Sequence, residues 1–189
     1  MIAKTFNADL YLPSCSIDLS WEQIGQNVDG ENVGDYSGTS VALSDDGSVL
    51  AVGATYNDGI GSENSGHVRV YKNVNVSWEQ TGQDIGGESA GDMSGYSVAL
   101  SNDGSVLAIG SVGAPENDGN SYFSRHIRVY QNVNGIWQQI GQDVDGENVL
   151  DNFGWSVALS DDGSVLAVGA YSNGGNGSFS GHVRVFELN

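Results

Sequence analysis

Residues 40–54 read SVALSDDGSVLAVGA, and this stretch decides the fold of the chain. Two runs of Val, Ala and Leu flank a polar turn of sequence DDGS at residues 45–48. An Asp-Gly pair between two apolar runs is a strong signal for a β-hairpin, because both residues tolerate the backbone angles of a tight turn. The stretch therefore predicts two adjacent antiparallel strands.

The hairpin sequence occurs three times, and two other motifs accompany it. A WxQxGQ motif starts 19 residues before each hairpin, and an HVRVY-like motif starts 26 to 29 residues after the hairpin begins. The three hairpins start at Ser40, Ser97 and Ser156. The WxQxGQ motif starts at Trp21, Trp78 and Trp137, and the HVRVY-like motif starts at His67, His126 and His182. The variation in length falls in the loop before the histidine, as expected of an exposed loop between packed strands.

Each unit contains four segments typical of strands: the two arms of the hairpin, the alternating HVRVY-like motif and the WxQxGQ motif. Four short strands that repeat about every 58 residues are the pattern of propeller blades. We predict an all-β fold of three four-stranded antiparallel β-propeller blades. Residues 1–20 match the repeat poorly and are predicted to be a tail, and the repeats are residues 21–77, 78–136 and 137–189.

The predicted strand order begins with a lone tryptophan strand and stops before a final one. Three blades of ordinary width are too few to close a ring. We therefore expect two chains to form a six-bladed ring, in which the Trp21 strand of each chain completes the last blade of its partner. Such a homodimer has no unpaired sheet edge.

The third copy contains FGWSVA at residues 153–158, VGA at 168–170 and GHVRVF at 181–186. These segments resemble the FG-GAP repeat, the blade unit of integrin α-subunit propellers and of related extracellular and microbial proteins. The likeness extends from Trp21 to Asn189, although Ser37 and Ser94 stand where the third copy has Phe153. The resemblance implies a propeller that binds other proteins, in an extracellular or surface-associated setting.

Composition narrows the range of partners. The chain has 24 acidic and 6 basic residues, for a net charge of −18, which repels nucleic acid and anionic membranes. No apolar run approaches the ~20 residues of a membrane span, and none near the start has the length of a signal peptide. Cys15 is the only cysteine, so no internal disulfide forms.

The three loops of variable length are the candidate binding surface, because they differ among otherwise equal copies. They cover residues 56–65, 115–124 and 171–180. Their aromatic and polar side chains suit contacts with a partner. The candidate ligand-binding residues are Tyr56, Asn57, Asp58, Glu116, Asn117, Asp118, Tyr122, Tyr171, Asn173 and Phe179.

Other residues recur at fixed repeat positions, and we assign them structural roles. The histidines could converge on a metal ion, but identical residues in every copy usually serve the stacking of copies. The arginines are expected to form ion pairs with repeat-equivalent aspartates. These positions are His67, His126 and His182, then Arg69, Arg128 and Arg184, then Asp35, Asp92 and Asp151.

One acidic turn is a weak candidate for a cation. Asp143, Asp145 and Glu147 place three carboxylates in five residues beside Gly146, a composition that suits Ca²⁺. The second copy lacks one of these carboxylates, and the hairpins are too short for the Asp-x-Asp-x-Asp-Gly loop of calcium-binding FG-GAP repeats. We therefore predict no cofactor, with Ca²⁺ as the alternative.

The four tryptophans could stack on sugar rings, but we expect Trp21, Trp78, Trp137 and Trp155 to pack between sheets. No nucleophile elbow or phosphate-binding loop is present. The sequence therefore predicts a non-enzymatic interaction or assembly scaffold, which binds another protein or a second copy. A carbohydrate-binding or cell-surface adhesion module, assisted by calcium, is the alternative, and an enzyme with an axial pocket is the third.

Overall fold

The computed structural model describes residues 19–59, 63–113 and 125–189, which form three antiparallel β-sheets. We call these sheets blades 1, 2 and 3. Blade 1 contains β1 (Ser37–Leu43), β2 (Val49–Ala54), β3 (His67–Val74), β4 (Ser77–Gln80) and the short β5 (Ile85–Gly86). Blade 2 contains β6 (Ser94–Leu100), β7 (Val106–Ser111), β8 (His126–Val133) and β9 (Ile136–Asp145). Blade 3 contains β10 (Phe153–Leu159), β11 (Val165–Ala170) and β12 (His182–Glu187), and a 3-10 turn at Val149–Asp151 precedes it.

Strands that are consecutive in sequence are neighbours in each sheet, except that β5 pairs with β3, and this order confirms the predicted hairpins. Each hairpin turn is closed by a Ser-Asp pair. In blade 1 the Ser44 hydroxyl donates to Asp46 Oδ1 at 2.7 Å and accepts from the Val49 amide at 2.9 Å. Hydrogen bonds from the Ser48 amide and the Ser44 hydroxyl lower the pKa of Asp46 to about 2.

The first strand of each blade contains a β-bulge at the same place. The register shifts between Ser37 and Ser40 in β1, and the equivalent shifts occur in β6 and β10. The second residue of each of these strands is a glycine with φ near +90°, a backbone angle that only glycine adopts without strain. These glycines are Gly38, Gly95 and Gly154. The glycine of the FG dipeptide is thus a bulge residue.

The apolar cores lie between neighbouring blades. Val68 and Val70 of blade 1 pack with Leu107, Ile109 and Tyr130 of blade 2, and Trp137 completes this cluster at 3% exposure. A second cluster joins blade 2 to blade 3 through Ile127, Phe153 and Val168. We call these contacts the first and second junctions. The buried Trp137 confirms the prediction for one of the four tryptophans.

The predicted lone strand at Trp21 is not a strand in this structure. Residues 21–24 have no regular secondary structure and Trp21 is fully exposed in the single chain, so its packing between sheets, which needs a second chain, stays a prediction. Blade 3 contains three strands in the described part of the chain. Residues 1–18 of the predicted tail, with Cys15, lie outside the described residues. No described helix is long and apolar enough to cross a membrane.

Candidate functional site

Five aromatic side chains of the three blades form two groups of contacting rings, and we call the two groups together the aromatic face. The ring centroids of Tyr36 and Tyr56 are 5.0 Å apart. Trp155 lies 4.8 Å from Tyr96 and 4.7 Å from Tyr171. Burial raises the pKa of the Tyr96 hydroxyl, and the charges of Tyr171 and Tyr56 add to the rise. The group around Trp155 therefore joins blade 2 to blade 3, and Tyr36 and Tyr56 pair beside blade 1.

The first strands of the blades place the face near the centre of the assembly. Strands β1, β6 and β10 contact one another in series. Tyr96 and Trp155 directly follow the bulge glycines of β6 and β10, and Tyr36 precedes β1 at a φ of 53°. Tyr171 follows the last residue of β11. The bulges thus direct these rings to one end of the stacked inner strands.

Most of these rings are half exposed. Trp155 is 44% exposed, which contradicts the expectation that it packs in the core, and Tyr171 and Tyr36 are exposed further. Large aromatic side chains in contact with water and fixed by neighbouring rings are typical of binding surfaces. The sequence identified Tyr56 and Tyr171 and missed Tyr36 and Tyr96. The signal for Tyr96 was present, because it shares a repeat position with Trp155.

The first and third variable loops are anchored next to residues of the aromatic face. In blade 1, Asp35 Oδ2 accepts hydrogen bonds from the Asn57 side chain at 2.9 Å and the Asn32 amide at 3.0 Å. In blade 3, Asp151 Oδ2 accepts from the Asn173 side chain at 2.7 Å. Asn57 and Asn173 are 5% and 6% exposed. The amides of these two asparagines are turned into the protein and anchor the loops, and their contact with a ligand stays a prediction.

The remaining loop residues divide into two groups. Asp58 is exposed and accepts a hydrogen bond from the Asn64 amide at 3.1 Å, and Phe179 is among the exposed apolar residues. Both stay candidates for ligand contact. The candidates of the second loop, Glu116, Asn117, Asp118 and Tyr122, lie outside the described residues.

The repeat-equivalent arginines pair with glutamates, so the predicted pairing with aspartates is wrong. Their guanidinium groups lie 3.3, 3.5 and 3.9 Å from the carboxylates in the pairs Arg69–Glu31, Arg128–Glu88 and Arg184–Glu147. The aspartates instead bind loop amides: Asp92 Oδ2 accepts from the amides of Glu88 and Ser89. Each arginine also donates to a backbone carbonyl that precedes its blade: Arg69 to Asp29, Arg128 to Gly86 at the end of β5, and Arg184 to Asp145 at the end of β9. Arg128 and Arg184 therefore link their own blades to the last strand of the preceding blade.

Two clusters in the described residues could hold a cation. Glu31, His67 and Asp84 place one ligand atom each within 4.8 Å of one another, and Glu88, His126 and Asp143 do the same. Burial lowers the pKa of His67, which favours the neutral imidazole that metals bind. The predicted Asp143, Asp145 and Glu147 do not form such a group: Asp143 joins the second cluster, and Glu147 pairs with Arg184.

The matches to known proteins agree with this architecture. Residues 144–186 match the FG-GAP repeat family model. This confirms the resemblance for the third copy, from the end of β9 to β12. A search of curated protein sequences found no match.

Two solved structures resemble the chain. A protein of Bacteroides uniformis assigned as a 6-phosphogluconolactonase has a TM-score of 0.52 at 14% identity, covering 79% of this chain and 36% of its own. The periplasmic gluconolactonase PpgL of Pseudomonas aeruginosa has a TM-score of 0.48 at 17% identity, covering 79% of this chain and 39% of its own. The chain thus spans little more than a third of each. At this identity, the first likeness supports a propeller-like β fold and nothing about activity.

Proposed function

We propose that this protein is a non-enzymatic interaction scaffold whose blades present the aromatic face to a protein partner. One observation carries the proposal: five aromatic rings from three blades, in two groups of contacting rings, are partly exposed on the sheet framework. Rigid aromatic side chains lose little conformational entropy on binding and dominate the energetics of protein interfaces.

Charge indicates the kind of partner. The net charge of −18 attracts a cationic segment and accelerates its encounter with the chain. The faces of Tyr and Trp rings also attract Lys and Arg side chains through cation–π interactions. The expected partner is therefore a basic segment of a protein, held by the aromatic face and flanked by exposed carboxylates such as Asp58.

A displayed library of random peptides tests this function, because it offers basic, acidic and apolar segments to the chain at once. Peptides selected on the wild-type chain should be rich in Lys and Arg, and the Trp155→Ala variant should bind them at least about tenfold more weakly. Ile136→Ala is the matched control, because Ile136 is exposed on β9, outside the aromatic face. Equal affinity for all three chains would overturn the proposal.

Carbohydrate binding is the second candidate, since exposed aromatic rings also stack on sugar rings. Trp155 and Tyr171 offer two such rings side by side. A glycan array probed with wild-type chain and with Trp155→Ala separates the candidates. Binding to defined glycans that Trp155→Ala abolishes would favour this candidate over a protein partner, and a blank array would remove it.

The names of the two structural neighbours raise lactone hydrolysis as a further question. We expect the chain to leave 6-phosphogluconolactone and gluconolactone to hydrolyse at the rate of buffer alone, as followed by acid release at constant pH. Hydrolysis that rises in proportion to the protein concentration would refute the non-enzymatic assignment.

A further inference from the structure

The first junction shows how one tryptophan locks two blades together. Trp137 of blade 2 fits against the end of the preceding WxQxGQ motif, where Gln83 donates to the Trp137 carbonyl at 2.7 Å and accepts from its amide at 3.2 Å. The indole N–H donates to the Thr81 carbonyl at 3.2 Å. Trp78 makes the same three bonds with Gln26 and Ile24. We call these three hydrogen bonds to one tryptophan a tryptophan lock, and the residues that receive the tryptophan its seat. The chain therefore contains two tryptophan locks.

In the third repeat the residues equivalent to the seat are present, but no described tryptophan occupies them. A cavity of about 210 Å³ lies between blades 2 and 3, and Ile140, Gly141, Gln142, Leu166 and Phe186 are in its lining. These residues are the repeat equivalents of those that surround Trp137. A Cβ atom at Gly82 would lie 2.7 Å from the Trp137 ring, whereas one at Gly141 would meet only Leu188 at 3.9 Å.

The tryptophan that matches this seat is at the other end of the three blades. Trp21 is 104% exposed, and it belongs to the same motif as the two tryptophans that fill the other seats. Burial of an indole that is in full contact with water is favourable by about 25 cal/mol for each Å² of apolar surface. Among the described residues, Trp21 is thus a tryptophan of this motif that fills no seat, and the cavity between blades 2 and 3 is a seat that holds no tryptophan.

Blades 1 and 3 each have one sheet face that no described neighbouring blade covers, and we call these the outer faces. The two outer faces are complementary as well. At the two junctions, Ser40 donates to the Gly95 carbonyl and Ser97 to the Gly154 carbonyl, each at 2.7 Å. Ser156 is the next member of this series, and Gly38 carries the matching carbonyl on the outer face of blade 1. The apolar residues agree: Val183 and Val185 are exposed on blade 3, and Val41 and Leu43 are exposed on blade 1. Their repeat equivalents pack together at the first junction.

We propose that two copies of this chain join head to tail, with Trp21 of each copy seated in the cavity between blades 2 and 3 of the other. Residues 20–23 then pair with β12 and supply the fourth strand of blade 3. By the register of β3 and β4, Leu188 lies opposite Trp21 and Glu187 opposite Glu22 of the second copy. This interface is independent of the aromatic face, so either proposal can fail alone.

Sedimentation equilibrium on the full chain tests the interface. The wild-type chain should have twice the mass of one chain at tens of micromolar, and Trp21→Ala should have the mass of one chain. Gln142→Ala should weaken association by about tenfold, because it removes the two bonds to the tryptophan backbone. Val33→Ala, a change at another fully exposed position, should associate as wild type does. A wild-type chain that stays single, or a Trp21→Ala chain that still associates, overturns the proposal.

Charge reversal gives a change in the opposite direction. Glu187 faces Glu22 in the proposed pairing, whereas the equivalent positions in blade 1 are Lys72 and Glu79. Glu187→Lys should therefore tighten association by about two- to fivefold, an effect that shrinks in high salt. Weaker association of this variant would contradict the proposed register.

Mixing two variants separates loss of the interface from misfolding. The Trp21→Ala chain keeps an intact seat, and the Gln142→Ala chain keeps an intact Trp21. An equimolar mixture should form a pair with one complete lock and associate at least about tenfold more tightly than Trp21→Ala alone. A Trp21→Ala chain that gains no association when the Gln142→Ala chain is added overturns the head-to-tail arrangement.

Discussion

The first junction and the outer face of blade 3 carry equivalent sequence motifs but differ in exposure. Val68 and Val70 are 0% and 1% exposed at the junction, whereas their equivalents Val183 and Val185 are 68% and 65% exposed. The strands themselves have the same pairing and the same bulge. A blade therefore acquires its internal order from its own sequence, and a neighbouring blade adds burial without changing the strand pairing.

Removal of the tryptophan should show the largest difference between the two regions. Trp137→Ala empties the seat at the first junction and should lower the free energy of unfolding by about 3–5 kcal/mol. Trp21→Ala, measured in dilute solution where chains are single, should change it by less than about 0.5 kcal/mol. Urea unfolding followed by circular dichroism gives both values. Similar losses in the two variants would mean that Trp21 is buried within its own chain.

Glycines at the contact between blades should show a smaller difference in stability between the two regions. A Cβ at Gly110 would lie 2.6 Å from the Gly154 carbonyl oxygen of blade 3, so Gly110→Ala should cost about 1–3 kcal/mol. Gly169 occupies the equivalent position on the outer face, where a Cβ would meet Ser156 of its own blade. Gly169→Ala should therefore cost less, as judged by the urea midpoint. The comparison fails if the two alanines are equally harmful.

The loop anchors should show no contrast, because they act within their own blades. Asp35→Ala leaves the Asn57 amide without its carboxylate, and Asp151→Ala does the same to Asn173. Each change should cost about 1–3 kcal/mol, and the two costs should agree within about 0.5 kcal/mol. Thermal unfolding of both variants provides the check. A much larger cost in one blade would show that its anchor also supports a junction.

The smallest effect concerns pH at the buried end of blade 1. Burial lowers the pKa of His67 from 6.5, although Asp84 and Glu31 partly oppose the shift. The unfolded chain therefore binds the proton more readily, so the stability that neutral His67 contributes is complete above pH 6.5 and declines as the pH falls below it. His67→Gln should make the free energy of unfolding less dependent on pH between about 7.5 and 5.5. An identical dependence in both proteins would contradict the shift.

The sequence predicted the local parts of the fold well. The hairpins and the strand order of each unit follow from turn residues and spacing, which act over a few residues, and the resemblance of the third copy to the FG-GAP repeat rests on its motif residues. The acidic partners of the arginines could not be predicted from turn residues and spacing. Arg69 has Asp35 and Glu31 at similar distances along the chain, and only the packed structure shows that Asn57 occupies the Asp35 carboxylate.

The candidate site was predicted in part for the same reason. Loop length variation identified Tyr56 and Tyr171, but it could not show that Asn57 and Asn173 face inward. The exposure of Trp155 depends on the bulge at Gly154, which turns the following side chain out of the core. That geometry follows from the pairing register of β10 with β11, which the spacing of the repeats alone does not determine.

The Ser-to-Gly bond that joins β1 to β6 also joins β6 to β10, and the same bulge presents each accepting carbonyl. Every blade thus carries the donor half of this contact on one side and the acceptor half on the other. Duplication of one repeat in the gene would insert a blade that fits both neighbours at once. The number of blades is therefore free to change by copying and loss of whole repeats, without new contacts having to evolve.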